Sequence, residues 1–142
     1  MIRALPRLIA LSPGDLVGAS TGRLHDALER ACAAGLPGFL LREPRLSDRE
    51  YLELATSLGE LRRRHPRLWF AVHDRAHLAR VLAADALHLS WRSLRVAELR
   101  PWLETTMALG LSTHADDDPR SWRAADYVFH GPLRATPDKE HA

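Results

Sequence analysis

Six short apolar runs, each breaking off in polar or charged residues and each separated from the next by a helical pattern, constrain this chain more than any other feature. They read PRLIALSPG (6–14), GFLLRE (38–43), LWFAVHDR (68–75), ALHLS (86–90), MALGLS (107–112) and YVF (127–129). An apolar body with a polar tip is the pattern of a buried parallel strand whose carboxyl end faces a site. One repeating strand–helix unit therefore accounts for nearly the whole chain.

Between the runs, helices are expected. After Ser20-Thr21-Gly22, a cap, Leu24, Ala27, Leu28 and Ala31 fall at helical spacing up to Gly35. Ser47 followed three residues later by Glu50 is a capping box, and it opens a long helix through Leu52, Ala55, Leu58 and Leu61 that Pro66 closes. Shorter helices are expected over 76–82, over 96–103 around Pro101, and after a cap at 116–118 with Pro119 in the first turn. Strands are expected over 6–12, 39–42, 68–73, 86–90, 107–112 and from 127.

Alternating strands and helices without a hairpin signal mean a parallel sheet covered by helices. Ser12-Pro13-Gly14-Asp15 is not the glycine-rich loop of an open dinucleotide-binding sheet. Polar tips on successive strands instead favour a (β/α) barrel of the TIM type, which gathers its strand ends around one pocket. Six units do not close an eight-stranded barrel, so the last two strands are expected outside the sequence shown, or the missing wall in another subunit.

At 142 residues the chain is expected to form a single domain, 1–142, an incomplete TIM barrel. A net charge of +2, with basic residues scattered rather than striped, leaves no electrostatic footprint for nucleic acid. The single Cys32 cannot form an internal disulfide, and no apolar run reaches the roughly 18 residues of a membrane span. A cytoplasmic protein without a membrane partner is the expectation; a homo-oligomer stays open.

Asn and Gln are absent, and 19 of the 20 basic residues are Arg, the exception being Lys139. The expected strand ends collect Arg42 and Glu43, His73 and Asp74, His88 and Ser90, Ser112 and His114, and His130; Thr136 and Lys139 follow in a loop. Side chains alternate along a strand, so Arg42 shares a face with Leu40 and points into the mouth, where a guanidinium suits phosphate or carboxylate. The alternative is a rim arginine paired to Glu43. His114 is the candidate for moving protons, because an imidazole titrates near neutral pH. Thr136 and Lys139 are candidates to wrap an anion. Four strand-end histidines raise a metal reading, but the HxH or clustered-carboxylate spacing that would strengthen it is missing.

The blocks LLREPRLS (40–47), VHDRAHLA (72–79), ALHLS (86–90), GLSTH (110–114) and ADYVFHGPLRATPDK (125–139) occur in an order and at a spacing that resembles the thiamine-phosphate synthase and TenI superfamily of barrels. For the synthases the resemblance implies the joining of a pyrimidine diphosphate to a thiazole phosphate with magnesium. Arg42, Ser112, Thr136 and Lys139 would then hold phosphate groups, and Asp74 would be one magnesium ligand. The sequence departs from that pattern at Leu40, His73, Pro44 and Ser93, the last falling where the second magnesium carboxylate would be. A hydroxyl there removes a full charge from the site.

ALHLSWRSLRV (86–96) is more similar to the sister TenI group. That resemblance implies a tautomerase that aromatises a thiazole carboxylate phosphate without a metal, His114 acting as acid and base. The expectation is therefore a thiazole-phosphate-binding isomerase needing no cofactor. The alternatives are a magnesium-dependent transferase and a barrel that binds the phosphate ligand without chemistry.

Overall fold

The structure is a computed structural model and describes residues 1–17 and 20–131. Six strands form one sheet: β1 (Ala10–Leu11), β2 (Gly38–Leu41), β3 (Trp69–His73), β4 (Ala86–Leu89), β5 (Ala108–Thr113) and β6 (Tyr127–His130). Every neighbouring pair is parallel, and the spatial order is the chain order β1-β2-β3-β4-β5-β6. An open doubly wound sheet reverses its order at a switch point. This sheet does not reverse, and it curls into a half-barrel with helices between the strands.

The helices are α1 (Ser20–Ala33), α2 (Asp48–Arg64), α3 (Ala76–Val81) and α4 (Val96–Leu99). The capping box opens α2 as expected: Ser47 Oγ accepts from the Glu50 N–H, and Glu50 Oε2 accepts from the Ser47 N–H at 2.8 Å. Tyr51, Leu54, Ala55, Leu58 and Leu61 are the buried stripe of that helix. At its other end Arg62 donates to the free carbonyls of Leu82 and Ala83, tying α2 to the end of α3.

Several boundaries differ from expectation. Only Ala10 and Leu11 of the first apolar run pair with β2. Ser20, Thr21 and Gly22 lie inside α1 rather than ahead of it. The helix expected around Pro101 stops at Leu99 and continues as a 3-10 turn over Arg100–Trp102. The segment after Asp118 is likewise a 3-10 turn, Pro119–Trp122.

Strand alternation gives the sheet two different faces. Phe39, Leu41, Phe70, Val72, Leu87, Leu89 and Leu109 point outward into the main core under the helices. Leu40, Trp69, Ala71, Ala86, Ala108 and Tyr127 point inward and form a second cluster with Ile2, Ile9 and Phe129. Small side chains make room for large ones there. A Cβ on Gly110 would lie 2.1 Å from Cζ of Tyr127, so the tyrosine ring crosses the β5 backbone at an inward position that has no side chain.

Two aspartates close the amino-terminal edge in the same way. Asp85 accepts from the Phe70 N–H at 2.8 Å, and Asp126 from the Leu109 N–H at 2.7 Å. Each lies just before its own strand and carries an arginine, Arg3 on Asp85 and Arg100 on Asp126.

Candidate functional site

Because all six strands run the same way, their carboxyl ends share one edge. Arg42, Asp74, Ser90 and His114 each follow the last residue of a strand on that edge. A cleft of about 480 Å³ opens there between the loops after β2, β3 and β4, with Arg42, His73, Asp74, Ser90, Trp91 and Arg92 among its walls.

Arg42 is exposed in this cleft with its Nη1 against the Gly14 turn, 3.1 Å from where a Cβ would stand. Its backbone N–H donates to the buried Ser12 Oγ at 2.7 Å, which fixes the strand end while leaving the guanidinium free. The pairing with Glu43 does not occur. Glu43 is 1% exposed and accepts from the N–H groups of Gly14 and Leu16, both at 2.9 Å. Its carboxylate thus folds the loop after β1, and the Arg42 guanidinium is left without an ion pair.

Asp74 adopts φ +59° and occupies a knot of donors. Its Oδ1 accepts from the Ser90 N–H at 2.7 Å and from Ser93 Oγ, and His73 Nδ1 lies 3.2 Å from its Oδ2. Burial opposes ionisation, yet these donors win and hold the carboxyl well below the usual carboxylate range. Three of its roughly four lone-pair positions are already taken. Among the described residues no group of three or more His, Cys, Asp or Glu is gathered. A lone carboxylate spent on its own loops, next to a serine hydroxyl, does not fit a magnesium site that relies on carboxylates.

Ser112 lies beside this edge on β5. Its Oγ is 2.9 Å from Nε2 of His88, a buried histidine that stacks on Phe129 at 4.4 Å and lies 5.7 Å from the ring of His73. Burial first, then the neighbouring His73 charge, pushes the His88 imidazole down to about 4, so it is neutral at pH 7. Ser112 opens toward a second, adjoining cavity of about 580 Å³ that shares Ser90 and Trp91 with the cleft.

His114 follows β5, partly exposed, with Nδ1 3.6 Å from Asp117 Oδ2. It lines neither cavity. His130 lies on the other face, with Nδ1 3.0 Å from Thr113 Oγ1, so of the four strand-end histidines only His73 and His88 are neighbours. The expected phosphate ligands Thr136 and Lys139 lie outside the described residues. Arg75 and Arg92 were not singled out from the sequence. Arg75 is structural, bound to Asp48 and to the Leu46 carbonyl and stacked on Tyr51 at 4.7 Å. Arg92 stacks on Trp91 at 4.7 Å, and the Trp-Arg pair directly after a strand end was its only sequence signal.

Strands in unbroken order and helices between them, with an arginine-lined cleft at the carboxyl edge, define an α/β protein of the TIM-barrel type. The family model described as thiamine monophosphate synthase matches residues 11–142, and the chain belongs to that family. It is 37% identical over 127 residues to a thiamine-phosphate synthase from Gloeobacter violaceus, covering 88% of this chain and 37% of the relative. It is 37% identical over 125 residues to one from Arthrobacter, covering 83% and 52%. A third, from Solidesulfovibrio magneticus, is 36% identical over 129 residues, covering 88% and 60%. The chain thus spans between 37% and 60% of the length of these curated relatives.

A solved structure of a thiamine phosphate pyrophosphorylase from Pyrococcus furiosus superposes with a TM-score of 0.68 at 20% identity, over 78% of this chain and 55% of that one, and supports the fold. These relatives bear synthase names. The expected leaning toward the tautomerase finds no support among them.

Proposed function

We propose that residues 1–142 belong to one barrel domain of thiamine biosynthesis acting as a synthase, a transferase that joins a pyrimidine diphosphate to a thiazole phosphate. The observation that carries this reading is the unpaired Arg42 guanidinium in a cleft at the carboxyl edge of the sheet, in a chain whose relatives are named synthases. Release of diphosphate leaves negative charge on the departing group, and a fixed guanidinium is suited to receive it. Ser112, Thr136 and Lys139 are the remaining proposed phosphate contacts. Asp74 serves here as a loop fastener, and no step is assigned to magnesium. The reading needs no nucleic-acid or membrane partner; no helix among the described residues is long and apolar enough to cross a membrane.

Incubating the protein with both substrates and following formation of the joined product tests the proposal. The expected outcome is turnover that Arg42→Ala lowers by about 10²-fold. Absence of product with wild-type protein removes it.

A second reading, the tautomerase, draws on one geometric detail. Asp117 accepts from the His114 N–H at 2.7 Å while lying near its ring, an arrangement that orients an imidazole for proton transfer. Binding of thiazole phosphate without conversion in either assay would leave the third reading, a binding protein.

A further inference from the structure

We propose that Arg92 is a second anion-binding residue, and that with Arg42 it forms a two-guanidinium clamp for a ligand carrying linked phosphates, held without a divalent cation. The inference rests on the reading of the carboxyl-edge cleft as a phosphate site and assigns a residue and a ligand class to it.

The argument begins with Asp74. Its oxygens fasten the Ser90 N–H and the Ser93 hydroxyl, and the Ser93 N–H returns to the Ser90 carbonyl at 3.1 Å. The four-residue turn 90–93 is therefore closed on itself and tied to the end of β3. Arg92 sits inside this turn, its N–H 3.4 Å from Ser90 Oγ and its guanidinium on the Trp91 ring at 4.7 Å. A long side chain loses much rotamer freedom when it is ordered by a ligand, and a stacking platform removes part of that cost beforehand.

Charge accounting separates the three arginines of the cleft. Arg75 is committed to Asp48 and to backbone carbonyls. The guanidinium groups of Arg42 and Arg92 have no hydrogen-bond or ion-pair partner among the described residues, and both side chains line the same cleft. The two carboxylates nearby are spent, Glu43 on the N–H groups of Gly14 and Leu16 and Asp74 on the turn. Two guanidinium groups without a direct ion pair therefore line one cavity, and the carboxylate that could have gathered a metal has been used to build the turn that carries one of them. Two linked phosphates present enough acceptor oxygens for both planar forks, whereas one phosphate can be held by Arg42 alone.

Calorimetric titration of the chain with inorganic pyrophosphate and with orthophosphate, each in EDTA and again with magnesium, tests the assignment. The expected result is pyrophosphate binding in EDTA that Arg92→Ala weakens by 10-fold or more, orthophosphate binding that the same variant changes by less than about 3-fold, and loss of both in Arg42→Ala. Trp91→Ala, which leaves the charge and removes the platform, should weaken pyrophosphate by a smaller factor; thermal melts of each variant exclude misfolding. A strict magnesium requirement for pyrophosphate, or equal affinity in wild type and Arg92→Ala, overturns the clamp while leaving Arg42 and the phosphate-site reading in place. Failure of the wild type to bind either anion overturns both.

Discussion

Ser112 Oγ and His88 Nε2 meet at 2.9 Å across the adjacent strands β5 and β4, at the border between the apolar interior and the polar mouth. The other ring nitrogen, Nδ1, is buried without a partner among the described residues. The ring is thus kept neutral by its surroundings and needs one tautomer to serve Ser112, as acceptor or donor.

The first prediction is a stability loss in mild acid. The unfolded imidazole takes up its proton near 6.5, whereas the folded one resists until about 4. The unfolded state therefore binds more protons between these values. Stability is expected to fall as pH drops through this window, by roughly 3 kcal/mol in total from this group. Urea midpoints from pH 7 to 4.5 should decline more steeply in wild type than in His88→Phe, and parallel curves would refute the assignment.

Gly110→Ala should destabilise the inner face. The added methyl meets Tyr127, whose ring is already held edge-on against Trp69 at 5.9 Å. A cost of about 2–3 kcal/mol is expected for such overpacking. Pairing the change with Tyr127→Leu should recover part of it in denaturant titrations; simple additivity would show that the contact is not the cause.

Glu43→Gln leaves one carbonyl oxygen where two backbone N–H groups need acceptors. The amide must then face one of them with its own NH₂. A loss of about 2 kcal/mol is expected, together with weaker anion binding as the Gly14 turn loosens beneath Arg42. Chemical denaturation and calorimetry on the same sample check both effects.

His114→Ala discriminates the two chemical readings. Joining of the two substrates should fall by less than about 3-fold, whereas thiazole isomerisation, if the protein performs it, should drop by about 10²-fold or more. Assaying both reactions with one variant decides between them.

The repeating unit was legible because apolar runs with polar tips can hardly be anything other than buried parallel strands, and the Ser47/Glu50 box marks its helix to the residue. Short elements blurred for physical reasons. Pro101 and Pro119 carry no N–H, so the chain winds there as 3-10 turns, which the apolar pattern cannot distinguish from helix. At the site, strand alternation put Arg42 on the inward face but left its pairing with Glu43 open. The use of Glu43 could not be read: its partners Gly14 and Leu16 lie 29 and 27 residues away, and backbone donors leave no trace in the side-chain sequence. Arg92 was equally hidden, since nothing local says that Asp74 fixes the turn holding it.

The short segment ahead of β1 carries a kinetic consequence. Arg3 donates to the carbonyls of Leu68 and Pro66 and reaches Asp85, while Ile2 and Ile9 fill the space below Trp69. These side chains stopper the base of the half-barrel at this end, opposite the cleft at the rim. On the proposed synthase reading, a product must vacate the place at the rim that its precursor takes, so a newcomer has to wait for the old occupant, and product inhibition competitive with that substrate is expected.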